Sequence, residues 1–146
     1  MRVLGLDVGE RRIGIAVADE RARVALPVAV VERRELPADL DAIARLVQEQ
    51  GAEAVVIGLP ISLNGSLGPQ AQAVKAFGQE LLARLSLPIA YWDERLSTVE
   101  AQRRLASAGW RGPKAKARRD ALAAAIVLQG YLDRQAQASP SPPLES

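Results

Sequence analysis

The chain is expected to fold as an α/β domain around a mixed five-stranded sheet, three antiparallel strands followed by two parallel ones, with helices on the faces. Three observations predict this. Residues 2–31 carry three short, mostly apolar runs separated by turn signals, which reads as a meander of hairpins. The run Ala52–Leu59 is apolar or small at nearly every position around Glu53, as in a strand buried on both faces of a parallel sheet. From Pro37 onward, helical and strand-like segments alternate. Right-handed strand–helix–strand crossovers then join parallel neighbours. A length of 146 residues suits one domain with a substantial core.

The first strand covers Arg2–Val8 and contains a carboxylate, Asp7, inside an otherwise apolar run. Burying a carboxylate is costly unless it is paired or holds a cation. Gly9–Arg12 turns the chain, and Ile13–Asp19 returns as the second strand. After a turn at residues 20–22, Arg23–Val31 gives a third strand, with Pro27 marking an edge position. Pro37 opens a helix whose Leu40, Ile43, Ala44, Leu46 and Val47 follow helical spacing, and Gly51 ends it. Ala52–Leu59 is the fourth strand. Pro60–Pro69 is a loop rich in turn residues. The next helix runs to about Leu85 with Val74, Phe77, Leu81 and Leu82 on one side, and Pro88–Glu94 is the fifth strand. Ser97 and Glu100 fit a capping box at the start of a helix reaching Ala108. A loop, Gly109–Lys114, leads to a last helix over Ala117–Gln135. The Pro- and Ser-rich residues 139–146 lack the apolar surface to dock and are expected to be disordered. Residues 1–138 form the domain.

The chain has no Cys and no His. Disulfides, thiolate metal sites, Ser–His and Cys–His nucleophile pairs and His acid–base chemistry are therefore excluded. Carboxylates, Lys, Arg, hydroxyls or a bound metal must carry any catalysis. No apolar run reaches the length of a membrane span and the N-terminus lacks a signal-peptide pattern, so a cytoplasmic location is expected. Charge is unevenly distributed. Between Ala101 and Arg119 stand seven basic residues and no acid: Arg103, Arg104, Arg111, Lys114, Lys116, Arg118 and Arg119. The remaining 12 basic residues are outnumbered by 17 acidic ones. Such a block suits a polyanion, although a solvated helix and loop would look the same.

Three carboxylates occupy telling places. Asp7 is in the first strand. Glu94 ends the fifth strand, where open α/β sheets place their sites. Asp120 precedes an apolar stripe of Ala123, Ala124, Val127, Leu128 and Tyr131 on the last helix, which directs it toward the sheet. Alternatively, Asp120 opposes the helix dipole or pairs with Arg118 or Arg119. Converging acids without His suit hard divalent cations, Mg²⁺ or Mn²⁺, commonly as a pair. Asp93 should face the other side of the sheet and pair with Arg95. The backbone N–H groups of Asn64, Gly65, Ser66 and Gly68 could hold a phosphate. Arg12 could reach a phosphate or a site acid. Glu100 reads as a cap, and Trp110 either stacks on a base or anchors its loop.

The segments LDVGERRIGIAVAD, VIGLPISLNGSLG, WDERLSTVEA and RRDALAAAIVLQGYL, in this order and spacing, resemble the YqgF/RuvX family of bacterial RuvC-like nucleases. The resemblance spans nearly everything before the Pro/Ser tail. It implies a ribonuclease H-like fold and an acidic site on Asp7, Glu94 and Asp120. It also implies activity either in maturing the 5′ end of the small-subunit ribosomal RNA precursor or in resolving Holliday junctions. One departure is local: Ser97-Thr98 stands where the family often has two Thr, and a hydroxyl remains at both positions. The reading is thus a metal-dependent endonuclease on precursor rRNA or a four-way DNA junction. Nucleic-acid contacts would come from Arg12, Asn64, Ser66, Arg111, Lys114, Lys116, Arg118 and Arg119. Symmetric junction cleavage would favour a homodimer. Two other classes share some of these features. An actin-like ATP phosphotransferase has a similar opening strand and Asp-x-Gly turn but closes two lobes around ATP. A non-catalytic RNA-binding protein would keep the acids for structure alone.

Overall fold

The computed structural model of the chain describes residues 1–19, 21–96 and 119–138. Its five strands form one sheet in the order β3-β2-β1-β4-β5. They are β1 (Arg2–Val8), β2 (Arg12–Asp19), β3 (Leu26–Glu32), β4 (Ala54–Leu59) and β5 (Ile89–Asp93). The first three pair antiparallel, while β1 with β4 and β4 with β5 pair parallel. The helices are α1 (Leu36–Gln50), α2 (Pro69–Leu85) and α3 (Arg119–Ala138). The expected mixed sheet is therefore present, with β1 at its centre.

Alternation along the strands builds two cores. On one face Leu4, Leu6, Val8, Ile13, Ile15, Val17, Val55 and Ile57 pack against Ile43 and Val47 of α1 and Val74, Phe77 and Leu81 of α2. On the other, Val3, Ala16, Ala18, Val56 and Trp92 meet Ala124, Ala125, Val127, Leu128 and Leu132 of α3. Asp7 follows Val3 and Gly5 in the strand alternation and so belongs to the α3 face. The buried stripe of α3 runs through Ala121, Ala124, Ala125, Val127, Leu128 and Leu132, so Ala124, Val127 and Leu128 of the expected stripe are buried. Ala123 and Tyr131 are only partly buried, so the helix is rotated from the expected stripe and Asp120 lies at its border.

Three boundaries differ from the sequence reading for identifiable reasons. β3 begins at Leu26 rather than Arg23. Arg23 adopts φ 57°, and fully buried Gln129 of α3 captures this segment, its Oε1 accepting from Ala25 N–H and its Nε2 donating to the Arg23 carbonyl. β4 begins at Ala54, although the Glu53 N–H still reaches the Arg2 carbonyl. β5 stops at Asp93, leaving Glu94 in a single 3₁₀ turn, Glu94–Leu96. The Asp93 carboxylate accepts the Arg95 N–H at 2.9 Å, which turns the chain out of the strand. Pro27 does sit on an edge strand, next to a register shift at Ile15/Ala16. The capping-box helix after Ser97, Trp110, most of the basic block and the 139–146 tail lie outside the described residues, as does the side chain of Arg119.

Candidate active site

Asp7, Glu94 and Asp120 come together on the α3 face. Each is placed by a different element, and two glycines make the approach possible. Gly14 is the β2 partner of Asp7. A Cβ there would stand 1.8 Å from the Asp120 carbonyl oxygen, so only glycine lets the first turn of α3 settle beside Asp7. Gly58 follows Ile57, the β4 partner of Leu6, and so stands level with Asp7. A Cβ on Gly58 would lie 2.7 Å from Glu94 Oε2 and 2.8 Å from Val127 Cγ2. The Glu94 carboxylate therefore rests over the bare backbone of β4. Sequence spacing alone assigns neither glycine this role. The available signal was an isolated Gly inside an apolar strand run, Ile13-Gly14-Ile15 and Ile57-Gly58-Leu59.

The electrostatics shows the acids sensing one another. Burial pushes the Asp7 carboxyl above its ordinary range, and the charge of Asp120 adds to this. Glu94 is pushed up to about 7, first by burial and then by the charges of Asp7 and Asp93. A proton or a cation would relieve both groups. Asp120 is more open to solvent and faces Arg12, whose Nη1 is 3.6 Å from Asp120 Oδ2 while its Nε is 3.2 Å from Glu32 Oε2. Arg12 thus pairs with a site acid, one of its two anticipated roles.

The neighbouring polar groups divide clearly. Asp93 lies on the opposite sheet face and is held below its ordinary range by hydrogen bonds from Arg95. The pair closes at 2.7 Å, as anticipated. Arg95 Nη1 also donates to the carbonyls of Ser62 and Leu63 at 3.3 and 3.4 Å, fastening the Pro60–Gly68 loop near the strand end. Within that loop Asn64 Oδ1 accepts from both the N–H and the hydroxyl of Ser66, and the Gly65 N–H donates to the Ser62 carbonyl. Two of the N–H groups considered for phosphate are thus engaged inside the turn.

A hard divalent cation fits this donor set by chemistry, since all the donors are carboxylate oxygens and two are protonated more readily than usual. Among the described residues no three acids form a ready-made cage for an ion. Mg²⁺ does not need one, because it keeps several waters and binds through one or two carboxylates together with substrate phosphates. No helix among the described residues is long and apolar enough to cross a membrane.

This mixed sheet, with helices on both faces, has the ribonuclease H-like fold that the resemblance implies. The RuvC of Thermus thermophilus, solved in complex with a Holliday junction substrate, superposes with a TM-score of 0.60 at 14% identity, covering 92% of this chain and 95% of that one. The fowlpox virus Holliday junction resolvase gives 0.53 at 10% identity over 92% and 99%. The family model RuvX, described as a Holliday junction resolvase, matches residues 1–134. Over 137 residues the chain is 47% identical to a Moorella thermoacetica protein, and over 140 residues 49% identical to one from Gloeobacter violaceus. These alignments cover 94% and 95% of this chain and 98% and 88% of the relatives, and both relatives bear the name "Putative pre-16S rRNA nuclease". The chain belongs to the RuvX family, a family of nucleases.

Proposed function

We propose that this protein is a divalent-metal-dependent endonuclease acting on structured nucleic acid, with Asp7, Glu94 and Asp120 as its catalytic acids. The observation that carries the reading is the pair of half-buried carboxylates, Asp7 and Glu94, both driven toward the protonated form on a face opened by glycine. A protein without a task for these groups would gain stability by replacing them. A Mg²⁺ or Mn²⁺ ion, or two, held by the three acids would lower the pKa of an attacking water and stabilise the departing oxygen. The chain's own contribution is to fix the acids on three elements. Glu94, poised near 7 in the free protein, can hold or release a proton at neutral pH. Arg12 keeps a positive charge at the margin of the site, where a phosphate would enter.

The substrate favoured here is the precursor of the small-subunit ribosomal RNA, because the curated relatives at 43–49% identity carry that name. The second reading, resolution of a four-way DNA junction, is favoured by the description of the family model. Symmetric cutting of such a junction would call for a homodimer, and either substrate would place the protein in the cytoplasm. Parallel cleavage assays on both substrates, with Mg²⁺ and with Mn²⁺ and without ATP, test the reading. Cleavage of neither substrate would remove it.

The basic residues Arg111, Lys114, Lys116, Arg118 and Arg119 supply backbone contacts in this proposal. Phosphate contacts raise affinity without reading sequence. Changing Lys114 and Lys116 together to Ala should weaken binding to every substrate alike and lower the salt slope by roughly one unit per lost contact. An unchanged slope would return the block to an ordinary solvated surface.

A further inference from the structure

We propose that Arg33 and Asp39, on the face opposite the acids, are positioning residues that hold the Gly9–Arg12 turn and through it the catalytic acid Asp7. The inference rests on the acid-site reading above. Gly9 stands two residues after Asp7, and its N–H donates to the Arg12 carbonyl at 2.9 Å, closing the hairpin. A Cβ on Gly9 would lie 2.9 Å from that carbonyl oxygen, so the turn is tight. Arg33 grips it at two peptides. Its backbone N–H donates to the Arg11 carbonyl at 2.8 Å, and its Nη1 donates to the Gly9 carbonyl at 3.0 Å.

The guanidinium is itself fixed from two sides. Nε donates to Asp39 Oδ2 at 3.3 Å, and the group lies over the Phe77 ring at 5.2 Å. Asp39 is only 1% exposed, yet it is a carboxylate. Its other oxygen accepts the Arg34 N–H at 2.8 Å, in the first turn of α1, where a helix favours negative charge. A buried acid so held orients one edge of the guanidinium and leaves another for the turn. The same turn carries Arg12, which pairs with Asp120. Two of the three acids therefore depend on a peptide that is braced from behind the sheet. A helix-closing ion pair would need only Asp39, Arg33 and the Arg34 N–H. The bond to the Gly9 carbonyl adds nothing to α1 and acts on the turn alone.

The test compares Arg33→Lys and Asp39→Asn with the parent and with Val47→Ala, a packing change in α1 remote from the turn. Arg33→Lys keeps a cation for Asp39 but loses the planar fork. Amide exchange at Gly9–Arg12 should quicken at least tenfold in Arg33→Lys and Asp39→Asn, with Leu4 and Leu6 unchanged. Binding of Mn²⁺ alone should weaken about tenfold, and kcat for cleavage should fall with KM little changed. Val47→Ala should lower the melting temperature without moving any of the three. Unchanged exchange or unchanged Mn²⁺ affinity in both clamp variants would overturn the proposal, as would equal effects from Val47→Ala. A parent that neither cleaves nor binds Mn²⁺, with Asp7→Asn indistinguishable from it, would instead overturn the acid-site reading and the proposal with it.

Discussion

The two faces of the sheet are built from different residues for different ends. Toward α1 and α2 the strands present Leu4, Leu6, Val8, Ile13, Ile15 and Ile57, all large and all in one apolar cluster. Toward α3 the same strands present Val3 and Val56 but otherwise small residues, Gly5, Gly14, Ala16, Ala18 and Gly58. Large side chains fill the space between sheet and helix and remove the most apolar surface from water. Small ones let a helix backbone approach the sheet, as the contact of α3 with Gly14 shows. The first face makes stability. The second gives up some of that burial to bring three carboxylates onto one surface.

The largest effect that would break this comparison concerns the acids. Asp7→Asn and Glu94→Gln should lower cleavage by about a thousandfold or more, roughly 4 kcal/mol of barrier. Neither should lower the melting temperature, because each removes like-charge repulsion and the desolvation of a carboxylate. Asp120→Asn should match them in cleavage. Its ion pair with Arg12 is exposed and long at 3.6 Å, so its stability change should stay within about 1 kcal/mol. Single-turnover cleavage and melting curves on the same three proteins check this. A fully active Asp120→Asn would remove that residue from the site.

The packing of the two faces sharpens the comparison further. Leu6→Ala, at a fully buried position on the α1/α2 face, should cost about 2–5 kcal/mol. Cleavage should then fall only with the folded fraction. Gly14→Ala should cost about 1–3 kcal/mol, since the added methyl meets helix backbone and not a flexible side chain. Its cleavage should fall well below its folded fraction, because α3 must move away from Asp7. Equal behaviour of the two variants, each corrected for folding, would dissolve the distinction between the faces.

How much of this was legible beforehand also differs between the faces. The strands against α1 and α2 announce themselves through period-two branched residues, and α1 through Pro37, its apolar spacing and Gly51. Asp7 stood out as a carboxylate in an apolar strand. The α3 face was harder to read. Ala and Gly carry little periodic signal, so spacing alone puts the buried stripe of α3 a fraction of a turn away, and nothing local distinguishes buried Gln129 among its alanines. Gly14 and Gly58 matter through what they leave open, which only the register of distant elements reveals. Arg33 and Asp39 resemble any charged pair before a helix. Their hold on Gly9 spans 24 positions in sequence.

The most gradual of these effects, read only across a pH range, separates two adjacent residues that face opposite ways. Asp93 is held below its ordinary range by Arg95, whereas Glu94 is raised from 4.5 to about 7 by burial and by Asp7. Below the ordinary carboxylate pKa, Glu94 is protonated in both folded and unfolded chains, and its contribution to stability is fully present. As pH rises from 4.5 toward 7 the unfolded chain releases the proton while the folded one retains it, so this contribution is progressively lost. The separation would be worth at most about 3 kcal/mol, and nearer 2 once water at a half-buried site is allowed for. Asp93 works in the opposite sense and in another window. Its contribution is present above its unfolded pKa of 3.8 and lost as pH falls through its lower folded value. Denaturant melts of the metal-free protein should therefore show stability declining between pH 5 and about 7. Glu94→Gln should flatten that decline, whereas Asp93→Asn should shrink it only slightly, because the Asp93 charge is the least of the causes that raise Glu94, while removing part of the loss below pH 4. Added Mg²⁺ should restore stability at the upper end, because it binds the ionised form. A decline that survives Glu94→Gln unchanged would show that another group titrates there, and would withdraw Glu94 as the acid poised near neutrality.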